Sequence, residues 1–153
     1  MPWLNIPHLQ QPKDGWCLPA CAAMATAYLQ HPLLQDDIAT WLETDDKIGT
    51  PFRRLQRLSR RGIDVSLVTP GSLDSARSWL SRQIPPIILV STQELSYWSG
   101  SFQHTVILAG ETDETVHLFD PGIETAPVTI PTAELLLAWS YFDFSFAVIE
   151  VSA

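Results

Sequence analysis

The chain has little charge, a surplus of acidic residues and no long apolar run. Only 17 % of its 153 residues are charged, with 9 basic against 17 acidic side chains and a net charge of −8. A nucleic-acid backbone is bound by clustered Lys and Arg, so this balance argues against DNA or RNA as a partner. No segment approaches the roughly 20 apolar residues that cross a bilayer. The first residues also lack the basic and apolar regions of a signal peptide.

Cysteine is also scarce. Cys17 and Cys21 are the two cysteines, too few for a disulfide framework, and reduced thiols are usual in the cytoplasm, where we expect the protein to reside. His8, His31 and His117 have no cysteine or carboxylate partners at metal-site spacing. We therefore predict neither a metal nor another cofactor.

Apolar residues, in contrast, are plentiful. They make up 46 % of the chain, enough for a core in a single domain over residues 1–153. The first half favours helices and the second half favours strands, which predicts an α+β fold with an antiparallel sheet. Helices are predicted at 20–29, 36–42, 51–61, 73–82 and 133–139, and strands at 63–68, 87–91, 105–109, 115–119, 128–130 and 146–151.

Two local signals support the helix starts. Thr50 precedes Pro51 as a helix-capping residue followed by proline in the first turn, and Ser72 precedes the apolar side of a further helix. Between the helices and near the end of the chain, short apolar runs such as Ile-Ile-Leu-Val-Ser at 87–91 are typical of buried strands.

The segment most informative about function runs from Gln11 to Met24, Gln-Pro-Lys-Asp-Gly-Trp-Cys-Leu-Pro-Ala-Cys-Ala-Ala-Met. Cys17 lies at the start of a predicted helix, where free backbone N–H groups and the helix dipole favour an anion. That position lowers the pKa of a thiol and offers the Cys17 N–H to a substrate oxyanion. Gln11, six residues upstream, is predicted to be the second oxyanion donor.

A cysteine nucleophile also needs a base and a group that orients the base. His104 begins the strand His-Thr-Val-Ile-Leu-Ala-Gly, and Asp120 ends the next strand in Leu-Phe-Asp-Pro-Gly. If the two strands form a hairpin, both side chains lie at its open end. We therefore predict His104 as general base and Asp120 as the carboxylate that orients its imidazole.

These residues together resemble the bacteriocin-processing, double-glycine leader peptidases, which are papain-like cysteine peptidases. The order Gln11, Cys17, His104, Asp120 and the runs His-Thr-Val-Ile-Leu-Ala-Gly and Asp-Pro carry the resemblance. It implies a papain-like fold and a cysteine peptidase that cleaves after a small or Gly-Gly residue of a leader peptide. It also implies a peptide or protein substrate, and an ABC exporter supplied in trans.

One departure from that family lies beside the nucleophile. The family usually has glycine there, whereas this chain has Leu18 followed by Pro19, closer to the free-standing relatives of the leader peptidases. Leu18 adds bulk next to the thiol, and Tyr97 and Trp98 precede His104 in the chain. We predict that these three side chains contact the substrate and keep its cleft narrow.

Two other functions fit the same residues. An acyl-transfer or deamidating enzyme would use the same nucleophile with a different acceptor or substrate. A non-catalytic peptide-binding module would need no nucleophile, so Cys17 argues against it.

Overall fold

The fold was analysed in a computed structural model, which describes residues 2–152. Four α-helices are formed, α1 (Cys17–Tyr28), α2 (Gln35–Trp41), α3 (Leu73–Ser81) and α4 (Thr132–Ser140). Six strands accompany them, β1 (Ile63–Val68), β2 (Ile87–Ser91), β3 (Gln103–Glu111), β4 (Thr115–Phe119), β5 (Val128–Pro131) and β6 (Phe146–Val151). Two 3-10 helices span Phe52–Arg60 and Thr92–Glu94.

The six strands form one antiparallel sheet in the order β1-β6-β2-β3-β4-β5. The strands in its middle are apolar on both faces, and β2 is buried along its whole length. Such two-sided burial requires a cover on each face of the sheet. The predicted α+β architecture, with a helical first half and a sheet in the second half, is confirmed.

Helices supply that cover. On one face α1, α2 and the longer 3-10 helix pack against Ile107 and Ala109 of β3. On the other face α3 and α4 pack against Val106 and Leu108 of the same strand. Since side chains alternate along a strand, β3 contributes to both apolar cores, which fixes its position between the two helical layers.

Helix α1 begins three residues earlier than predicted, at Cys17. Pro19 therefore lies inside its first turn, where the missing N–H costs no hydrogen bond. Ser72 caps α3 as predicted, since its hydroxyl accepts a hydrogen bond from the Ser75 N–H.

The segment after Pro51 departs from the prediction. It forms a 3-10 helix over Phe52–Arg60 rather than an α-helix, and Thr50 is not its cap. The Thr50 hydroxyl instead pairs with the Thr44 hydroxyl at 2.6 Å. This pairing holds the ends of the 44–50 turn together, and the sequence pattern does not reveal which partner the Thr50 hydroxyl takes.

Among residues 2–152, no helix is long and apolar enough to cross a membrane.

Candidate functional site

Cys17 is the first residue of α1. Within the described residues, no side chain caps this helix end; Trp16 occupies the capping position without a side-chain hydrogen bond. The backbone N–H groups of the first turn have no partner inside a helix, and Pro19 has no N–H to offer. The N–H groups of Cys17 and Leu18 therefore have no partner within the helix, and a substrate oxyanion could accept from them.

Strands β3 and β4 bring His104 and Asp120 together, as the hairpin prediction requires. The His104 Nε2–H donates to Asp120 Oδ1 at 2.7 Å, and both side chains are buried. Because Asp120 occupies Nε2, the other ring nitrogen, Nδ1, remains for Cys17. Cys17 and His104 line one cleft.

Asp120 is surrounded by donors. Tyr97 Oη donates to its Oδ2 at 2.7 Å, Trp98 Nε1 donates to the same oxygen at 2.8 Å, and the Gly122 N–H donates to Oδ1 at 2.8 Å. With His104, four hydrogen bonds converge on one fully buried carboxylate. A buried charge needs this degree of pairing to stay ionised.

Gly122 has a steric role in this arrangement. A Cβ at this position would lie 2.4 Å from Cζ2 of Trp98 and 3.2 Å from Asp120 Oδ1. The Asp-Pro-Gly turn is therefore more than a chain reversal, because its glycine leaves room for the indole that contacts Asp120. The Trp98 ring also meets the His104 ring edge-on, with centroids 4.9 Å apart.

The three ionisable groups of the site perturb one another. Burial raises the pKa of Cys17, but interaction with the His104 imidazolium outweighs it and the pKa lies below its ordinary value. Burial lowers the pKa of His104, but Asp120 and Cys17 outweigh it and the pKa is raised. Burial also raises the pKa of Asp120, but His104, Trp98 and Tyr97 bring it below its usual range. These directions favour a thiolate–imidazolium pair beside a carboxylate.

Cys21 differs from Cys17 in its position on the helix, its burial and the direction of its pKa shift. It lies one turn further along α1, is fully buried, and donates through its Sγ to the Thr105 carbonyl oxygen at 3.5 Å. Burial raises its pKa well above the ordinary value. It is a core thiol, consistent with its place among apolar residues of α1.

Gln11 is hydrogen-bonded both to Pro121, beside Asp120, and to the loop that leads to Cys17. Its backbone N–H donates to the Pro121 carbonyl at 2.7 Å, next to Asp120. Its side-chain Nε2 donates to the carbonyls of Lys13 and Asp14 at 2.8 and 3.0 Å. Both amide hydrogens are thus held by the loop that leads to Cys17, and one must be released if Gln11 is to bind an oxyanion.

The loop before Cys17 is held in place by hydrogen bonds to Asp46. Trp16 Nε1 donates to Asp46 Oδ1 at 2.9 Å, and the Gly15 N–H donates to the Asp46 carbonyl at 2.7 Å. A Cβ on Gly15 would approach the Asp45 carbonyl oxygen to 2.1 Å, so only glycine fits between the two loops. This clamp could not be predicted from the sequence, because nothing in the spacing joins residues 15–16 to residues 45–46.

The cleft in front of Cys17 has a volume of about 500 Å³. Leu18 lines it, as does Ile48, whose side chain is 90 % exposed at the tip of the 45–49 turn. Tyr97 and Trp98 were predicted beside Leu18, but the structure directs their polar atoms at Asp120, behind the imidazole. The cleft residues are Cys17, Leu18, Ile48, Gly49, Thr50, Pro51, Phe52, Arg53, Leu89, Gln103, His104 and Thr105.

His117, on β4, is buried. It is only 6 % exposed, its Nδ1 pairs with Thr129 Oγ1 at 2.8 Å, and its ring lies 5.0 Å from that of Trp3. The N-terminal segment covers this face of β4, which strand alternation alone does not predict. Among the described residues, no three His, Cys, Asp or Glu side chains cluster as a metal site.

Comparison with known proteins agrees with this geometry. The model of the Peptidase_C39 like family matches residues 3–145, almost the whole chain. The chain belongs to this family. Membership supports a peptidase-type function, and the predicted resemblance is confirmed. No curated protein matches the chain.

Three solved structures share the fold. One is a protein from Bacillus anthracis assigned to the C39-like peptidases, with 17 % identity, a TM-score of 0.75 and coverage of 97 % of this chain and 96 % of that one. The double glycine motif protease of an AMS/PCAT transporter, solved with its leader peptide, has 16 % identity, a TM-score of 0.71 and coverage of 98 % and 94 %. The peptidase domain of Streptococcus ComA, a bi-functional ABC transporter, has 13 % identity, a TM-score of 0.77 and coverage of 97 % and 100 %.

Proposed function

We propose that the protein is a cysteine peptidase in which Cys17 is the nucleophile, His104 the general base and acid, Asp120 the orienting carboxylate and Gln11 an oxyanion donor. One observation carries the proposal: a thiol at an uncapped helix start shares a cleft with an imidazole whose far nitrogen is held by a buried carboxylate. Thiol acyl transfer needs this set of groups.

The reaction follows from the positions of the atoms. The Cys17 thiolate attacks the carbonyl carbon of the scissile amide, and the resulting oxyanion is bound by the Cys17 N–H and by Gln11 Nε2, which must first release one of its two hydrogen bonds to the Lys13 and Asp14 carbonyls. His104 gives its Nδ1 proton to the leaving amine as the C–N bond breaks, which leaves an acyl-enzyme. Water then gives a proton to Nδ1 and attacks the acyl carbon, which releases the acid and restores the thiolate–imidazolium pair.

Tyr97 and Trp98 serve this reaction through Asp120. Their two hydrogen bonds hold Oδ2, so Oδ1 keeps its alignment on His104 Nε2. An imidazole held in this way presents Nδ1 to Cys17 in one tautomer throughout the cycle. Both residues thus act as positioning residues for the base.

A first test compares the two thiols. Iodoacetamide is expected to alkylate Cys17 at least ~100-fold faster than Cys21 at pH 7, because Cys17 is partly exposed with a lowered pKa, whereas Cys21 is buried with a raised one. Peptide mapping of the labelled protein by mass spectrometry gives both rates. The unfolded protein is the control and should label both cysteines equally. Equal labelling in the folded protein contradicts the assignment of Cys17 as nucleophile.

The cleft and the structural neighbours support a peptide as the class of substrate. We propose that the cleft binds a peptide substrate. We propose further that this substrate is the leader segment of a peptide that a separate ABC exporter, acting in trans, exports. The two transporter-derived neighbours, one solved with its leader peptide, support this class of substrate. Leu18 lines the cleft beside the nucleophile, where the family usually has glycine, and most of its side chain packs into the core, since only 2 % of its surface is exposed.

Specificity for the residue before the cut is therefore expected to favour small side chains. A peptide with glycine there should be cleaved ~10- to 100-fold better, in kcat/KM, than the same peptide with leucine or arginine, because a misfit group costs about 1–3 kcal/mol. A peptide panel varied only at that position measures the ratio. Leu18→Gly should relax the preference. Equal cleavage of all three peptides refutes the specificity, and no cleavage of any with a reactive Cys17 favours deamidation or acyl transfer.

A further inference from the structure

Thr105 is the one buried hydroxyl of the cleft that the proposed mechanism leaves unused. It follows His104 on β3 and is only 2 % exposed. Its Oγ1 is sealed from solvent, and among residues 2–152 no hydrogen-bond partner pairs with it. A buried hydroxyl without a partner carries a desolvation cost, so its retention requires a reason.

Its surroundings point to the two thiols of α1. Thr105 lines the cleft together with Cys17, and its carbonyl oxygen accepts the Cys21 Sγ–H at 3.5 Å, so the first turn of α1 lies over it. Thr105 lies close enough to both sulfurs to affect their pKa values: after burial and His104, it contributes to the lowered pKa of Cys17, and it counteracts the burial that raises the pKa of Cys21. In the structure its hydroxyl forms no hydrogen bond with either sulfur. Cys21 keeps its proton because its pKa is raised, so Cys17 is the sulfur that becomes an anion and can accept the hydroxyl proton.

We propose that the Thr105 hydroxyl is a catalytic group, a donor to the Cys17 thiolate that stabilises the anion in addition to the imidazolium. The proposal rests on the proposed role of Cys17 as nucleophile. A hydroxyl rotates freely, so it donates once the thiol has lost its proton and becomes an acceptor. A charge-assisted hydrogen bond of this kind is stronger than a neutral one and keeps the sulfur ionised between turnovers.

Other charged or ionisable groups face the same sulfur and are left intact by a change at Thr105. His104 on β3 supplies the imidazolium, Asp120 at the end of β4 lies behind it, Cys21 shares the helix, and Arg53 lines the cleft. The effect of removing the hydroxyl is therefore measured against a constant electrostatic background.

The test is the pH profile of Cys17 alkylation by iodoacetamide in the wild-type protein, Thr105→Val and Thr105→Ser. In Thr105→Val the apparent thiol pKa should rise by about 0.5 to 1 unit, so labelling on the acid limb falls about three- to tenfold while the plateau rate is unchanged. Thr105→Ser keeps the hydroxyl and should restore the wild-type profile. A profile for Thr105→Val that superimposes on the wild type overturns the proposal.

Stability distinguishes this role from a structural one. Below the pH at which Cys17 ionises, the hydroxyl has no partner among residues 2–152, so Thr105→Val should there unfold at the same or a higher denaturant concentration than the wild type. Thr26→Val is the matched control: this buried hydroxyl on α1 donates to the Ala22 carbonyl and accepts from the Leu33 N–H. It should lower stability and leave the profile unchanged. If Thr105→Val fails to fold, Thr105→Ala compared with Thr105→Ser gives the same test.

The two proposals fail in different ways. A wild-type Cys17 that titrates like a free thiol, near pH 8.5, removes the nucleophile and the proposed function with it. A low wild-type pKa that Thr105→Val does not change removes the role of Thr105 alone.

Discussion

Cys17→Ala is expected to abolish cleavage of any peptide that the wild-type protein hydrolyses, with a loss of about 10⁴-fold or more in kcat/KM. Without the sulfur no acyl-enzyme forms, and the helix N–H groups and the cleft can only bind the substrate. His104→Ala should reach a similar loss, since the thiol then loses the base and the leaving amine loses its acid. The measurement is the hydrolysis of a peptide with glycine before the cut.

Two variants make this result specific. Cys21→Ala changes the other thiol, which is buried in the core, and should keep most of the activity. The double variant Cys17→Ala with His104→Ala should be no slower than either single variant, because residues that act as one unit have non-additive effects. Activity retained in Cys17→Ala, or losses that multiply in the double variant, contradicts the proposed mechanism.

Asp120→Asn is expected to have the second largest effect, on both stability and activity. The carboxylate accepts four hydrogen bonds, and Trp98 Nε1 and the Gly122 N–H are donors that cannot reverse. An amide NH₂ in place of one oxygen leaves at least one buried donor unpaired, at a cost of about 1–3 kcal/mol. The imidazole also loses its anionic partner, so kcat should fall by about 10²- to 10⁴-fold. Denaturant unfolding and peptide hydrolysis measure the two effects.

Acid pH gives an independent check on Asp120. Because its pKa is lowered in the folded protein, the ionised carboxylate adds stability above the pKa of an unfolded aspartate, and this stability is lost as pH falls through the folded value. The stability gap between the wild type and Asp120→Asn should therefore narrow below about pH 4.

Asp113→Asn is the matched control, since Asp113 is exposed in the turn at the opposite end of the same hairpin. It should change neither activity nor stability. If Asp120→Asn behaves like this control, Asp120 has no part in the site.

Much of the fold was predictable from local pattern. The strands β1, β2, β4 and β6 have the predicted bounds, because a short apolar run bounded by turn residues has few alternatives to a buried strand. The hairpin then brought His104 and Asp120 to one end of the sheet, and the alanine-rich sequence after Pro19 predicted the first helix, which begins at Cys17, three residues before the predicted start. These features depend on neighbours in the chain, so the amino-acid sequence by itself determined them.

Specific polar pairings and contacts between distant segments decided the rest. The Thr50 hydroxyl pairs with Thr44 instead of capping a helix, and a 3-10 helix replaces the predicted α-helix. The N-terminal segment, far away in the chain, covers His117. Tyr97 and Trp98 were predicted to line the cleft, but their polar atoms donate hydrogen bonds to Asp120 instead. A buried carboxylate requires such donors. Periodicity ranks positions as apolar or polar, but it does not say which polar atoms will meet in the interior, and only the tertiary structure decided that.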